Sequence, residues 1–221
     1  VSPVRVGLIR VISSPDPGVR DEHGRWMMER FPSLHVVSRG IEGFPDGLFD
    51  RTTADSAVPA VVDVAQQLAS DVDVLLVSCT EDPGVTEVRR GVSVPVVGAG
   101  AALVAICRSL SDHFGILTIS AHPPRPLRDG LNEHRVSWRR VPNVRFTTDL
   151  PAARENIVRS TEELVDEGCG VIVLGCTGFS TLRISTTLRE QFGVPVLDPV
   201  LSMGAVISAL YGSPRTTKEV V

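Results

Sequence analysis

VIVLGCTGFS, residues 171–180, is an apolar run that stops at Gly175, Cys176, Thr177 and Gly178, and VLLVSCTEDPG, residues 74–84, closes in the same way on Cys79 and Thr80. Short continuous apolar runs bounded by turn residues read as buried strands. Working outward from these two, further strands are expected at 4–12, 35–39, 94–97, 114–119, 143–147 and 194–197. Helices are expected at 55–70, 99–112, 125–136, 151–167, 179–191 and 199–211. The helix at 55–70 starts from a cap at Asp55 or Ser56 and carries Pro59 in its first turn, a usual place for proline. Apolar strands alternating with helices imply parallel sheets covered on both faces.

The chain also repeats itself. VGLIRVIS answers FGILTIS, DVDVLLVSCT answers GCGVIVLGCT, and GVSVPVVGAGAALVAI answers FGVPVLDPVLSMGAVI. The expected fold is therefore α/β with two pseudo-symmetric halves, each a roughly four-stranded parallel sheet flanked by helices. The division expected is 1–98 for the first half, with 199–221 returning to it, and 99–198 for the second. Ligands of open parallel sheets bind at the carboxyl ends of strands, where both Cys-Thr pairs lie, so an active site is expected in the cleft between the halves. The Gly-, Pro- and Asp-rich loops 13–25 and 40–56 are read as cleft walls or a lid, and the residues from Ser213 as a tail.

Composition narrows the chemistry. A formal net charge of -4 on 221 residues gives no basic field for nucleic acid. The apolar stretch Ala99–Leu110 is too short to cross a membrane, and VSPVRVGLIR has no signal-peptide pattern, so a cytoplasmic location is expected. Partners are expected to be a small-molecule substrate and further copies of the chain, as a dimer or larger homo-oligomer. Lys218 is the only lysine beside twenty-one arginines, which leaves no buried Schiff-base lysine for pyridoxal phosphate and no P-loop lysine. The four cysteines form no CxxC and have no histidine at metal-ligand spacing, so neither a metal nor a cofactor is expected.

A thiol between a strand end and a tight turn meets backbone N–H groups and the positive end of a helix dipole, both of which lower its pKa. Two such thiols on opposite sides of a carbon suit inversion: one removes the α-proton and the other delivers a proton to the opposite face. The hydroxyls of Thr80 and Thr177, with the turn N–H groups, are candidate donors to the carbanion's oxygens. Cys107 and Cys169 read as small buried hydrophobes.

At these residues the chain resembles the aspartate/glutamate/hydantoin racemase superfamily. VLGCTGFSTL is similar to its second cysteine motif, and LLVSCTEDPG to its first, the Asp-Pro-Gly turn resembling the hydantoin racemase branch. The resemblance implies a cofactor-independent racemase or epimerase with Cys79 and Cys176 as the acid/base pair and Thr80 and Thr177 as substrate contacts. It also implies Ser13 and Ser14 as a first substrate loop, with Ser120 and His122 as its counterpart. His122 stands open as an acid, an orienting group or a surface residue. Where amino-acid racemases often carry an acidic residue or histidine after the second Cys-Thr, this chain has Gly178, which leaves Cys176 without a side-chain relay there. Glu81 and Asp82 are read as contacts for an amine or as caps of the next helix, and Asp198 as a partner of the second site or a cap of the helix at 199. A maleate-type cis–trans isomerase and a non-catalytic small-molecule-binding protein are the alternative functions.

Overall fold

The computed structural model describes residues 3–211. The first half runs β1 (Val4–Arg10), α1 (Pro17–Arg20), α2 (Glu22–Arg30), β2 (Leu34–Gly40), α3 (Arg51–Ser56), α4 (Val58–Leu68), β3 (Val74–Ser78), α5 (Val85–Gly91), β4 (Val96–Gly98) and α6 (Ala99–Cys107). The second runs β5 (His113–Thr118), α7 (Arg125–Gly130), β6 (Arg135–Arg140), a 3-10 segment (Thr147–Ala153), α8 (Arg154–Asp166), β7 (Val171–Leu174), α9 (Gly178–Thr181), α10 (Ile184–Phe192), β8 (Val196–Leu197) and α11 (Pro199–Tyr211). The two four-stranded sheets have the same order, β2-β1-β3-β4 and β6-β5-β7-β8, and every pairing is parallel. The tail expected from Ser213 lies outside the described residues.

Each sheet buries both faces, which is why its central strands are apolar without alternation. Ile9, Leu75 and Val77 on one face of the first sheet pack on Val61, Ala65 and Leu68 of α4. Leu117, Ile172 and Leu174 of the second pack on Ile157 and Leu164 of α8 and Leu188 of α10. The opposite faces are covered by an exchange of helices. α11, from the end of the second half, lays Val200, Met203 and Ile207 on Val6, Leu8 and Leu76 of the first sheet. α6, with which the second half was expected to open, gives Ala99 and Ala102 to that core and Leu103 and Cys107 to Phe114, Ile116 and Val173 of the second sheet.

Three expectations change. The loop expected at 13–25 contains α1 and the start of α2. Asp16 caps α1 by accepting from the Gly18 N–H, with Pro17 in the first turn. The loop expected at 40–56 ends in α3, capped by Asp50. The strand expected at 143–147 lies instead at Arg135–Arg140, starting at the last two residues of the segment 125–136 read as helix, and α7 ends at Gly130. β6 is an edge strand carrying three arginines, and an edge strand that carries charge lacks the apolar run that marks a central one. Among the described residues no helix is long and apolar enough to cross a membrane.

Candidate active site

β3 and β7, the strands that end in the two Cys-Thr pairs, occupy matching positions in the two sheets. Their C-terminal ends bring Cys79 and Cys176 to one cavity of about 280 Å³. Both cysteines are free, and each is only 6% exposed. They are near enough for a charge on Cys176 to act on Cys79.

The threonines lock this arrangement. Thr80 donates its hydroxyl to the Gly175 carbonyl at 2.8 Å, and Thr177 donates to the Ser78 carbonyl at 3.1 Å. Each therefore crosses to the residue just before the opposite cysteine. A hydroxyl has one proton, so the expected donation from Thr80 and Thr177 to substrate oxygens gives way to a clamp between the halves. Both residues line the cavity.

The electrostatics also reverse an expectation. Burial pushes Cys79 well above the ordinary thiol value, although the Glu81 backbone N–H works the other way. Cys176 is pushed up to about 11 by burial, against the Gly178 N–H that donates to its sulfur at 3.4 Å. Desolvation of the charged form outweighs the turn dipoles at these buried thiols. Gly178 sits close under Leu150: a Cβ there would lie 2.6 Å from Leu150 Cδ1, so that side chain would have to shift.

Of the other residues read as site candidates, Ser120 lines the cavity, but its hydroxyl donates to the His122 carbonyl at 2.7 Å and also meets Thr118 Oγ1. His122, Ser13 and Ser14 do not line it. His122 is exposed, with its ring edge-on to Trp138. The Ser13 hydroxyl donates to the Ile41 carbonyl at 2.7 Å and accepts from the Phe44 N–H, which fixes the start of the following loop. The Ser14 hydroxyl accepts from the Asp16 N–H. From the 40–56 segment, Leu48, Phe49 and Asp50 reach the cavity. Phe49 stacks edge-on with Phe146, and Thr147 donates to the Asp46 carbonyl at 2.7 Å, which ties this segment to the second half.

Glu81 lines the cavity but is held from the side by Arg125, whose other arm pairs with Asp55 at 2.7 Å. Asp82 caps α6 rather than the next helix, accepting from the Gly100 and Ala101 N–H groups at 2.8 and 2.7 Å. Burial raises its pKa to about 7 despite these bonds. Asp198 caps α11 through the Val200 and Leu201 N–H groups and accepts from the Ser180 hydroxyl, combining the two roles read for it.

Two cavity residues that matter to its polarity were missed in the sequence. His23, on α2, is buried with Nδ1 2.8 Å from Ser78 Oγ and Nε2 3.0 Å from Thr181 Oγ1, so it bridges the halves. Burial first and Arg10 second push its pKa well below the usual histidine value, and a neutral ring donates at one nitrogen and accepts at the other. Arg10, the last residue of β1, is 5% exposed. Its signal was a single cation inside the apolar run VGLIRVI; that of His23 was its spacing of four from buried Met27 on an amphipathic helix. Among the described residues no cluster of His, Cys, Asp and Glu side chains is arranged to hold a metal ion.

The family model described as Asp/Glu/Hydantoin racemase matches residues 28–203. A hydantoin racemase of Rhizobium meliloti is 30% identical over 205 residues, covering 88% of this chain and 83% of that protein. A hydantoin racemase of Paenarthrobacter aurescens is 28% identical over 173 residues, covering 75% and 72%. The solved structure of an allantoin racemase from Klebsiella pneumoniae superposes with a TM-score of 0.81 at 22% identity, covering 94% of this chain and 87% of that one.

Proposed function

The chain belongs to the Asp/Glu/hydantoin racemase family, and on that premise we propose that it is a cofactor-independent racemase or epimerase with Cys79 and Cys176 as its acid/base pair. Its substrate is a cyclic ureide of the hydantoin type or a related small carbonyl compound. The observation that carries this reading is the placement of two thiols, from equivalent strand ends of a duplicated fold, on one cavity closed by reciprocal threonine bonds. The names of the two hydantoin racemase relatives support the substrate class.

The chemistry follows from the pair. One cysteine, as thiolate, takes the proton from the carbon next to the carbonyl, and the electron pair moves onto the carbonyl oxygen. The turn N–H groups after the cysteines stabilise that oxygen. The other cysteine, as thiol, then returns a proton to the opposite face, leaving the pair with its protonation reversed and set for the opposite enantiomer. A raised thiol pKa makes the thiolate scarce but more basic once formed.

The test is a panel of hydantoins, amino acids and maleate followed by chiral chromatography, with active compounds repeated in deuterium oxide. Product from either enantiomer should carry α-deuterium from the first turnover, while unreacted substrate stays protiated at low conversion. Early product that keeps its α-protium would rule out two opposed thiols. Turnover of maleate alone would assign the cis–trans isomerase reading instead, and no turnover at all the binding-protein reading.

A further inference from the structure

The polar equipment of the cavity is lopsided. Its thiols and threonines come in pairs, but its walls are largely apolar, with Val11, Ile12, Leu48, Phe49, Ile119 and Leu182 among them. Of the charged residues that line it, Asp50 is used to cap α3 and Glu81 is held by Arg125. Arg10 is different. It makes no side-chain hydrogen bond or ion pair with any described residue, and its Nε and Nη1 are buried without partners. Asp21 and Glu22 act on it only through space, and Asp21 is itself paired with Arg20 at 2.7 Å. A buried guanidinium without a hydrogen-bonded counter-ion is costly, and an anion completes it with paired, directional bonds. Its neighbours support that role: Arg10 pairs in register with Ser78, the residue before Cys79, and Ser78 is held by neutral His23.

We propose that Arg10 anchors a substrate oxyanion, either a carboxylate or the ionised imide edge of a cyclic ureide, with the rest of the molecule lying against the apolar walls. This deepens the racemase reading and rests on it only in calling the ligand a substrate. The site then takes a molecule with one anionic head, and the head lies on the first-half side of the cavity.

Binding separates this from turnover. 3-Phenylpropionate, racemic 5-benzylhydantoin and the neutral 4-phenyl-2-butanone are titrated calorimetrically into the wild-type protein, Arg10→Leu and Arg10→Lys at fixed ionic strength. None of these undergoes net racemisation, so the heat reports binding. At least one anionic probe should bind the wild type, weaken about tenfold to a hundredfold in Arg10→Leu and recover in part in Arg10→Lys, with the ketone unaffected. Carboxylate binding that is flat above neutral pH identifies a carboxylate head; hydantoin binding that strengthens as its ring N–H ionises identifies the imide. Equal weakening of the ketone, unchanged affinity in Arg10→Leu, or no binding of either anion by the wild type overturns the proposal. Should Arg10→Leu fail to fold, Arg10→Gln carries the same expectation. Anion binding through Arg10 without racemisation of any substrate would sink the racemase reading and leave this one standing. Deuterium exchange with Arg10 dispensable would do the reverse.

Discussion

The two halves present matched cysteine posts on different supports. In both, a buried strand ends in Cys-Thr, and the threonine reaches across to the carbonyl before the other cysteine. The surroundings then diverge. The first half precedes its cysteine with Ser78, tied to His23 and flanked by Arg10. The second has Gly175, where a Cβ would lie 2.7 Å from the Leu117 carbonyl, and Thr118 in the place of Arg10, with its hydroxyl bonded to Ser120. The core helices are capped differently as well. α6 takes its carboxylate from Asp82 in the Cys-Thr loop, and Gly98 is needed because a Cβ there would overlap that carboxylate. α11 takes it from Asp198, the residue directly before the helix. In the proposed reading, proton transfer to two faces uses the symmetry, and recognition of one polar head uses its loss.

The sharpest way to break the symmetry is to remove one post. Cys79→Ala and Cys176→Ala should each slow racemisation about 10²–10⁴-fold in both directions with unchanged circular dichroism, and full activity in either would end the paired-thiol account. Alkylation tests the pair next. For Cys176, with its pKa about 11, the thiolate fraction is about 10⁻³ at pH 8 and climbs tenfold per pH unit toward 11, so iodoacetamide labelling should rise accordingly. Cys79 should follow the same direction, and both should be modified ahead of Cys107 and Cys169, which do not line the cavity. Peptide mapping that found Cys107 labelled first would reverse the assignment.

Smaller effects probe the supports. Thr80→Val and Thr177→Val each strand a buried carbonyl, so urea unfolding should show similar losses of about 1–3 kcal/mol. A loss confined to one of them would mean that the clamp is one-sided. Asp82→Ala and Asp198→Ala should each cost about 0.5–2 kcal/mol as lost caps. The Asp82 contribution should depend on pH. Its folded pKa of about 7 lies above the unfolded carboxylate value, so its stabilisation is full in acid and declines as the pH climbs toward 7. The stability gap between wild type and Asp82→Asn, followed from pH 4 to 8, reads that decline.

Much of the fold was legible because repetition and apolar runs carry it: the strands ending in Cys79 and Cys176, and α11 at 199–211, stand where the pattern put them. β6 was not, since RVSWRR sits on an edge where one row of backbone groups and several arginines meet solvent. The paired cysteines were legible from their matched dipeptides. The direction of their pKa shifts was not, because it depends on how completely the halves close over them. Arg10 and His23 left a signal but not a role, for a related reason: a polar residue in an apolar run or on a buried helix stripe declares its role only when its neighbours from other elements are known. Ser13 and Ser14 looked like substrate contacts, yet their hydroxyls are consumed by the loop that holds them.

The helix exchange bears on the order in which the chain can fold. β1 precedes the whole second half in the chain, yet part of its cover, Val200, Met203 and Ile207, arrives only with α11, and Tyr211 ties that helix to the Asp73 carbonyl at 3.0 Å. The first sheet must therefore wait, that face only partly covered, while the whole second half is made. Such long-range closure slows folding and binds the two halves into one cooperative unit. A truncation before residue 199 would accordingly be felt first at the opposite end of the chain.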